Sequence, residues 1–291
     1  MRDTATLLID CPDQRGIVAA VSEFLFQHGA NIVHADQHQD AELKLFFMRV
    51  EFTLDDFTLK LDLGPGGHGG FDDAFAEIAT RFAMKVRLER STRRPRLALF
   101  VSKYDHCLAD LLYRWHSGEL RCDVVAVVGN HRDAEPLAQF YKVPFHYVAV
   151  DGANKASAET QQLALLRREH VDLIVLARYM QVLSPRFVAE YPQRIINVHH
   201  SFLPAFIGAK PYHQAHERGV KLIGATSHYV TEQLDDGPII EQSTSRISHR
   251  DQLPELLAKG RELEKEVLSR AVRWHIESRI LVYGKKTVIF D

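Results

Sequence analysis

Two stretches of the chain gather side chains able to move protons or stabilise a negative oxygen. Asn197-Val198-His199-His200-Ser201 follows an apolar run and presents an amide, two imidazoles and a hydroxyl within a few residues. Leu234-Asp235-Asp236-Gly237-Pro238 sets two carboxylates in a turn between apolar segments. An amide and an imidazolium can donate hydrogen bonds to a developing oxyanion. A carboxylate can orient the imidazole or take a proton from an attacking group. Acyl transfer and amide hydrolysis use such a set. His106-Cys107 adds a thiol beside an imidazole, where a nucleophilic cysteine is possible. Plainer readings stand beside these. Asp-Gly and Gly-Pro are ordinary turn formers, Asn197 could bond its own backbone, and a buried free cysteine is commonly packing. On an extended chain, adjacent histidines also face opposite ways. A metal is a further alternative, since His199, His200, His213, His216 and Asp235 are all ligand types that zinc or iron accepts. Against it, no HExxH or HxH spacing occurs among them, and His213 and His216 suit a solvated helix equally well.

Those side chains need a scaffold. From Leu97 onwards, apolar strands at Leu97 to Val101, Val124 to Val128, Phe145 to Val150 and Leu173 to Ala177 alternate with helical stretches near 106–116, 134–141 and 155–169. Strands that are apolar throughout are buried on both faces, which implies a parallel sheet covered by helices. Ile195-Ile196-Asn197-Val198, Ile223 to Val230, Ile239 to Gln242 and a long helix from about Leu253 to His275 complete an open α/β sheet of Rossmann type. Ligands of such sheets sit at the carboxyl ends of the strands, where strand order reverses. Asn197 and its successors stand at such an end.

The first ninety residues read βαββαβ: a strand at Thr4 to Ile9, a helix through Ile17, Val21 and Leu25, strands at Asn31 to His38 and Leu43 to Phe52, a helix at Phe71 to Phe82 and a strand at Lys85 to Glu89. That order predicts a ferredoxin-like sheet with two helices on one face. Gly64-Pro65-Gly66-Gly67-His68-Gly69-Gly70 has neither the ending of a phosphate-binding loop nor GxGxxG spacing, and reads as a flexible linker. The expected division is residues 1–90, a linker over 91–96, and 97–291.

With 36 Lys+Arg against 38 Asp+Glu, a formal charge of −2 and 46% apolar residues, the 291-residue chain is neither disordered nor a polyanion binder by composition. Nucleic acid is excluded as a partner on the same ground. Cys11, Cys107 and Cys122 are scattered without a CxxC pair, which argues against disulfides or a cysteine-rich zinc site and points to a reducing cytoplasm. The opening MRDTATLLIDCPD holds too short an apolar run for a signal peptide or a membrane span.

Ile196-Asn197-Val198-His199-His200-Ser201-Phe202-Leu203-Pro204, Gly224-Ala225-Thr226-Ser227-His228-Tyr229-Val230 and Leu234-Asp235-Asp236-Gly237-Pro238-Ile239-Ile240 resemble the folate-dependent formyltransferase fold in order and spacing. The first ninety residues resemble an ACT domain, with Asp10-Cys11-Pro12-Asp13-Gln14-Arg15-Gly16-Ile17-Val18 as its first turn and His28-Gly29-Ala30-Asn31-Ile32 as its second. ACT then formyltransferase, with a doubled histidine, is similar to the formyltetrahydrofolate deformylase family. The resemblance implies a ferredoxin-like ACT domain followed by a Rossmann-like formyltransferase domain. It implies hydrolysis of 10-formyltetrahydrofolate to tetrahydrofolate and formate, with formate supplied to purine biosynthesis and one-carbon pools kept in balance. Asn197, His199 and Asp235 match the family's catalytic residues, and Met180, Gln181, Val182 and Leu183 match its pterin-pocket loop, with His200 beside the substrate. Many relatives carry Arg where Gln181 stands. No metal and no cofactor beyond the folate substrate is implied, and no membrane. An amino-acid effector near Asp13, Gly16 and Asn31 and a homo-oligomer are expected from the ACT domain. Transferase relatives hold an acceptor's phosphate on a glycine-rich loop. Here Ser102-Lys103-Tyr104-Asp105-His106-Cys107-Leu108 has no glycine, so water is the expected nucleophile. Transfer to a small amine, and a folate or amino-acid sensor without turnover, are the alternatives.

Overall fold

The computed structural model describes residues 3–61, 70–204 and 211–291, so most of the glycine-rich stretch lies outside the described residues. Two compact units are present: Met1–Arg93 with Glu277–Tyr283 and Val288–Asp291, and Arg94–Ile276 with Gly284–Thr287.

The first unit runs β1 (Thr4–Pro12), α1 (Ile17–Gln27), β2 (Ile32–Asp40), β3 (Leu45–Thr53), α2 (Gly70–Arg81) and β4 (Lys85–Arg90). Its sheet has the order β2-β3-β1-β4 and is antiparallel throughout, as βαββαβ predicts. Period-two alternation sends Leu7 and Ile9 to the core that holds Ile17, Val21 and Leu25 of α1 and Phe71 and Phe75 of α2. Leu8 and Phe47 belong to a second core with Leu281, Val288 and Phe290. The buried Arg49 donates to the Ser278 carbonyl at 3.1 Å. β1 is therefore buried on both faces, because residues from the far end of the chain cluster with this unit. The expected second domain, 97–291, did not anticipate that, since nothing local in the sequence marks where a terminal segment returns.

The second unit runs β5 (Arg96–Val101), α3 (His106–His116), β6 (Asp123–Gly129), α4 (Glu135–Phe140), β7 (Phe145–Tyr147), α5 (Lys155–Arg168), β8 (Leu173–Leu176), α6 (Pro185–Glu190), β9 (Ile195–His199), α7 (Pro211–Arg218), β10 (Leu222–Tyr229), β11 (Ile239–Arg246) and α8 (Leu253–Ile276). A short hairpin, β12 (Ile280–Tyr283) with β13 (Lys286–Ile289), ends the chain. The seven-stranded sheet has the order β11-β10-β9-β8-β5-β6-β7. β5 to β9 are parallel, whereas β10 and β11 add antiparallel strands at one edge. β5, β8 and β9 are almost wholly buried, which is why they read as continuous apolar runs. Strand order reverses between β5 and β8. The residues that leave those two strands, Ser102 and Arg178, meet there, with the Ser102 N–H donating to the Arg178 carbonyl at 3.2 Å. Ligands are expected at that switch point.

Candidate active site

A cavity of about 560 Å³ opens at the switch point, within the size range of ligand pockets. Asn197, His199, His200, Asp235 and the loop Met180 to Leu183 all line it. The structure thus brings together the catalytic and substrate-binding positions expected from sequence.

The antiparallel pairing of β10 with β9 sets His228 opposite Asn197. A register shift against β11 falls at Ser227/His228, a bulge of the kind that re-aims a side chain. His228 Nδ1 donates to the Tyr229 carbonyl at 2.9 Å, so its Nε2 carries the lone pair and accepts from Asn197 Nδ2 at 3.2 Å. That leaves the second amide N–H of Asn197 available.

The Asp235 carboxylate lies 3.2 Å from His199 Nδ1 and 3.7 Å from His228 Nε2. Burial alone would raise its pKa, but the hydrogen bond from His199 Nδ1 outweighs burial and holds the carboxyl well below the usual carboxylate range. Asp235 is therefore an anion at neutral pH. With Nδ1–H directed at Asp235, His199 turns Nε2 to the other side. That atom is buried and has no partner among the described residues, an arrangement that persists where a ligand completes it.

The turn that delivers Asp235 is tightly specified. Asp235 adopts φ 55°, left-handed backbone that costs a non-glycine residue energy. A Cβ on Gly237 would lie 1.7 Å from the Tyr229 carbonyl oxygen, and the Tyr229 N–H donates to the Pro238 carbonyl at 2.9 Å. Asp-Asp-Gly-Pro is thus both a turn former and a site, with Asp236 turned outward onto Lys285. Gly237→Ala is expected to cost about 2 to 4 kcal/mol of stability and to displace Asp235. A thermal melt and a turnover assay on one preparation check this: both should fall.

The loop of the expected pterin contacts is pinned at both ends. The Met180 N–H donates to Ser102 Oγ at 2.9 Å, and Glu159 accepts from the Ser184 N–H at 2.8 Å and from its hydroxyl. Met180, Val182, Leu234 and Tyr104 leave apolar surface exposed around the cavity, suited to covering an aromatic ring.

The cysteine alternative closes on geometry. Cys107 is 1% exposed, and burial, followed by the charge of Glu264, pushes its thiol pKa well up, so it is no nucleophile. His216 faces solvent, while His199 Nδ1 and His200 Nδ1 are taken by Asp235 and Arg178. Among the described residues the cluster with metal-like spacing is His106, Cys107 and Glu264. Its chemistry does not suit a cation: Glu264 already accepts from His106 Nε2 at 2.7 Å and the Tyr212 hydroxyl at 3.1 Å, beside the Arg178 guanidinium.

The sequence reading assigned no role to His228, Arg178, Tyr212 or Glu264, all of which line the cavity. The signal for Glu264 was present, since it interrupts the apolar face formed by Gly260, Leu263, Val267 and Leu268 of α8. At the expected effector positions, Asp13 accepts from Gln39 at 2.5 Å and the Asn31 N–H donates to Thr53 at 3.4 Å. Gly16 precedes α1 with φ 96°. Among the described residues no hydrogen bond joins the three.

Known proteins are similar to this chain in sequence and fold. The Formyl transferase family profile matches residues 95–272 and the ACT domain profile residues 5–60. The formyltetrahydrofolate deformylase of Synechocystis sp. is 51% identical over 287 residues, 99% of this chain and 98% of that protein. The crystal structure of a formyltetrahydrofolate deformylase from Pseudomonas syringae pv. tomato superposes with a TM-score of 0.95 at 48% identity, covering 100% of this chain and 95% of that one. A glycinamide ribonucleotide transformylase structure from Symbiobacterium toebii gives 0.65 at 29% identity, covering 70% of this chain and 98% of that one. The transferase likeness stops short of the whole chain, while the deformylase likeness spans both units, and with them the chain belongs to the formyltetrahydrofolate deformylase family.

Proposed function

We infer that the protein hydrolyses 10-formyltetrahydrofolate to tetrahydrofolate and formate in the cavity at the β5/β8 switch point. The observation that carries the site assignment is the placement of Asn197, His199 and Asp235 on one wall, with His199 Nε2 buried and unpartnered.

The N10-formyl group is an amide, so its cleavage passes through a tetrahedral oxyanion and ends with protonation of the departing nitrogen. The free Asn197 N–H and a protonated His199 Nε2 supply donors to the oxyanion. The Asp235 anion orients His199 through Nδ1 and takes the proton of the attacking water, directly or through a second water. That proton passes to N10 as the C–N bond breaks. The pinned loop Met180 to Leu183 and its apolar rim hold the pterin, with Gln181 contributing backbone groups.

The fold boundary at residues 91–96, a cytoplasmic setting and a homo-oligomer paired through the first unit complete the proposal. Among the described residues no helix is long and apolar enough to cross a membrane. An amino acid at Asp13, Gly16 and Asn31 is the proposed effector; titration calorimetry with each of the twenty amino acids should show heat for at least one, and none for any would end that part.

The whole reading is tested by incubating chelator-treated protein with 10-formyltetrahydrofolate and no acceptor. Formate and tetrahydrofolate should appear in equal amounts. Release only when an amine is added would make the protein a transferase, and tight folate binding with no release would make it a sensor.

A further inference from the structure

Beyond the formyl-binding wall, a set of charged and titratable side chains reaches the same cavity from five segments. His106 Nε2 lies 2.7 Å from the Glu264 carboxylate, Glu264 lies 3.4 Å from Arg178 Nε, and Arg178 Nη1 lies 2.6 Å from His200 Nδ1. The Tyr212 hydroxyl donates to the other oxygen of Glu264 at 3.1 Å. Glu264 is 1% exposed. Burial would raise its pKa, but the hydrogen bond from His106 and the charge of Arg178 keep it an anion.

This pair of permanent charges dictates the polarity of His200. A guanidinium has donors only and stays protonated, so the ring nitrogen facing it must present a lone pair. The proton of the neutral ring therefore sits on Nε2. Burial, and after it the charge of Arg178, lower the His200 pKa to about 4, so the ring is neutral at pH 7. Nε2 makes no hydrogen bond among the described residues, and the ring lines the cavity with its centroid 5.2 Å from that of His199. His200 is thus a fixed N–H donor next to the formyl-binding wall.

Water and amines differ in what they can do with such a donor. Water attacks with one lone pair and keeps another that accepts a hydrogen bond. An amine spends its only lone pair in the attack, so an N–H aimed at its nitrogen competes with the reaction. We propose that His200 donates its Nε2–H to the oxygen of the attacking water and that the Arg178–Glu264 ion pair, braced by His106 and Tyr212, fixes this polarity and so selects water over amines. The proposal rests on the hydrolytic reading above. In the step, a bond forms between the water oxygen and the formyl carbon while one water proton goes to Asp235. The C–N10 bond then breaks, its electron pair stays on nitrogen and that proton follows it. The other water proton leaves to solvent as formic acid becomes formate, and nothing is oxidised or reduced. Arg178 and Glu264 act through His200 and are positioning residues.

The test uses the full chain with 10-formyltetrahydrofolate, with and without hydroxylamine, reading formate and formylhydroxamate together. His200→Leu should lower formate release by about 10²-fold, the scale of one lost reaction-centre hydrogen bond, and raise the hydroxamate-to-formate ratio about tenfold or more. His200→Gln, whose amide N–H can stand in for Nε2–H, should restore the parent ratio. In Arg178→Met the His200 proton is free to sit on Nδ1, facing Glu264. His199 and Asp235 are the other charged or titratable groups acting on the ring. Formate release in that variant should fall as pH rises through the imidazole range, near 6.5, a limb absent from the parent. An unchanged ratio in His200→Leu, or an equal loss of both products, would overturn the proposal. A parent protein that releases no formate without hydroxylamine would instead overturn the hydrolytic reading.

Discussion

Asp235→Asn is expected to lower kcat for formate release by about 10³-fold while leaving folate affinity within a few-fold of the parent, because the lost function is proton acceptance and not shape. The amide is isosteric with the carboxylate, so the turn, its left-handed φ and the hydrogen bond from His199 Nδ1 can all survive. What disappears is the charge. The hydrogen bond from His199 Nδ1 at 3.2 Å keeps Asp235 ionised far below neutral pH, so the parent enzyme holds an acceptor for the water proton and an anionic partner for His199 Nδ1. Asparagine supplies neither. Single-turnover rates and folate binding measured on the same protein separate the two effects. Parent-like turnover would remove Asp235 from the chemistry; a matching loss of binding would make it a structural residue of the turn.

Asn197→Ala carries the second large effect, an expected loss of 10² to 10³ in kcat, the scale of one removed oxyanion-hole donor, or about 2.7 to 4 kcal/mol. Asn197 is half-buried in the middle of β9, with one amide hydrogen committed to His228 Nε2 at 3.2 Å and the other without a partner among the described residues. The pairing matters because it fixes which way the amide points. Alanine removes the donor to the oxyanion and strips His228 Nε2 of its partner, so His228 should gain mobility in the same variant. The loss should sit in kcat with KM nearly unchanged, since the oxyanion exists only beyond the ground state. A change confined to KM would mean that the amide binds substrate and does not stabilise charge.

Much of this arrangement was legible in the sequence, for a physical reason. The strands β5, β8 and β9 are buried on both faces, so their apolar runs stand out, and a polar cluster leaving such a run can only be a terminal cap or a site. Asn197 and His199 were read that way. Asp235 was ambiguous, because the residues that make a tight turn are the residues that make this site; only the clash that any side chain on Gly237 would meet, together with the buried carboxylate, separates the readings. The antiparallel direction of β10 left no mark in its apolar run, so the pairing that sets His228 opposite Asn197 could not be read. Glu264 and Arg178 lie 86 residues apart in the chain and meet only in three dimensions. The short helices α6 and α7 fell below any periodic signal, being 6 and 8 residues long. The tail residues that cluster with β1 were hidden because its second face, Thr4, Thr6, Leu8 and Asp10, offers a single apolar side chain and so does not announce a cover.

The most direct test of the central claim is a crystal structure of Asp235→Asn with 10-formyltetrahydrofolate bound, the slow variant serving to trap the substrate. The pterin should lie against the loop Met180 to Leu183 and the formyl oxygen within about 2.7 to 3.1 Å of Asn197 Nδ2 and His199 Nε2. A water should lie on the opposite face of the formyl carbon, within hydrogen-bond reach of residue 235 and His200. A formyl group turned away from Asn197 and His199, with its carbon beyond reach of both, would contradict the assignment of these residues to the reaction.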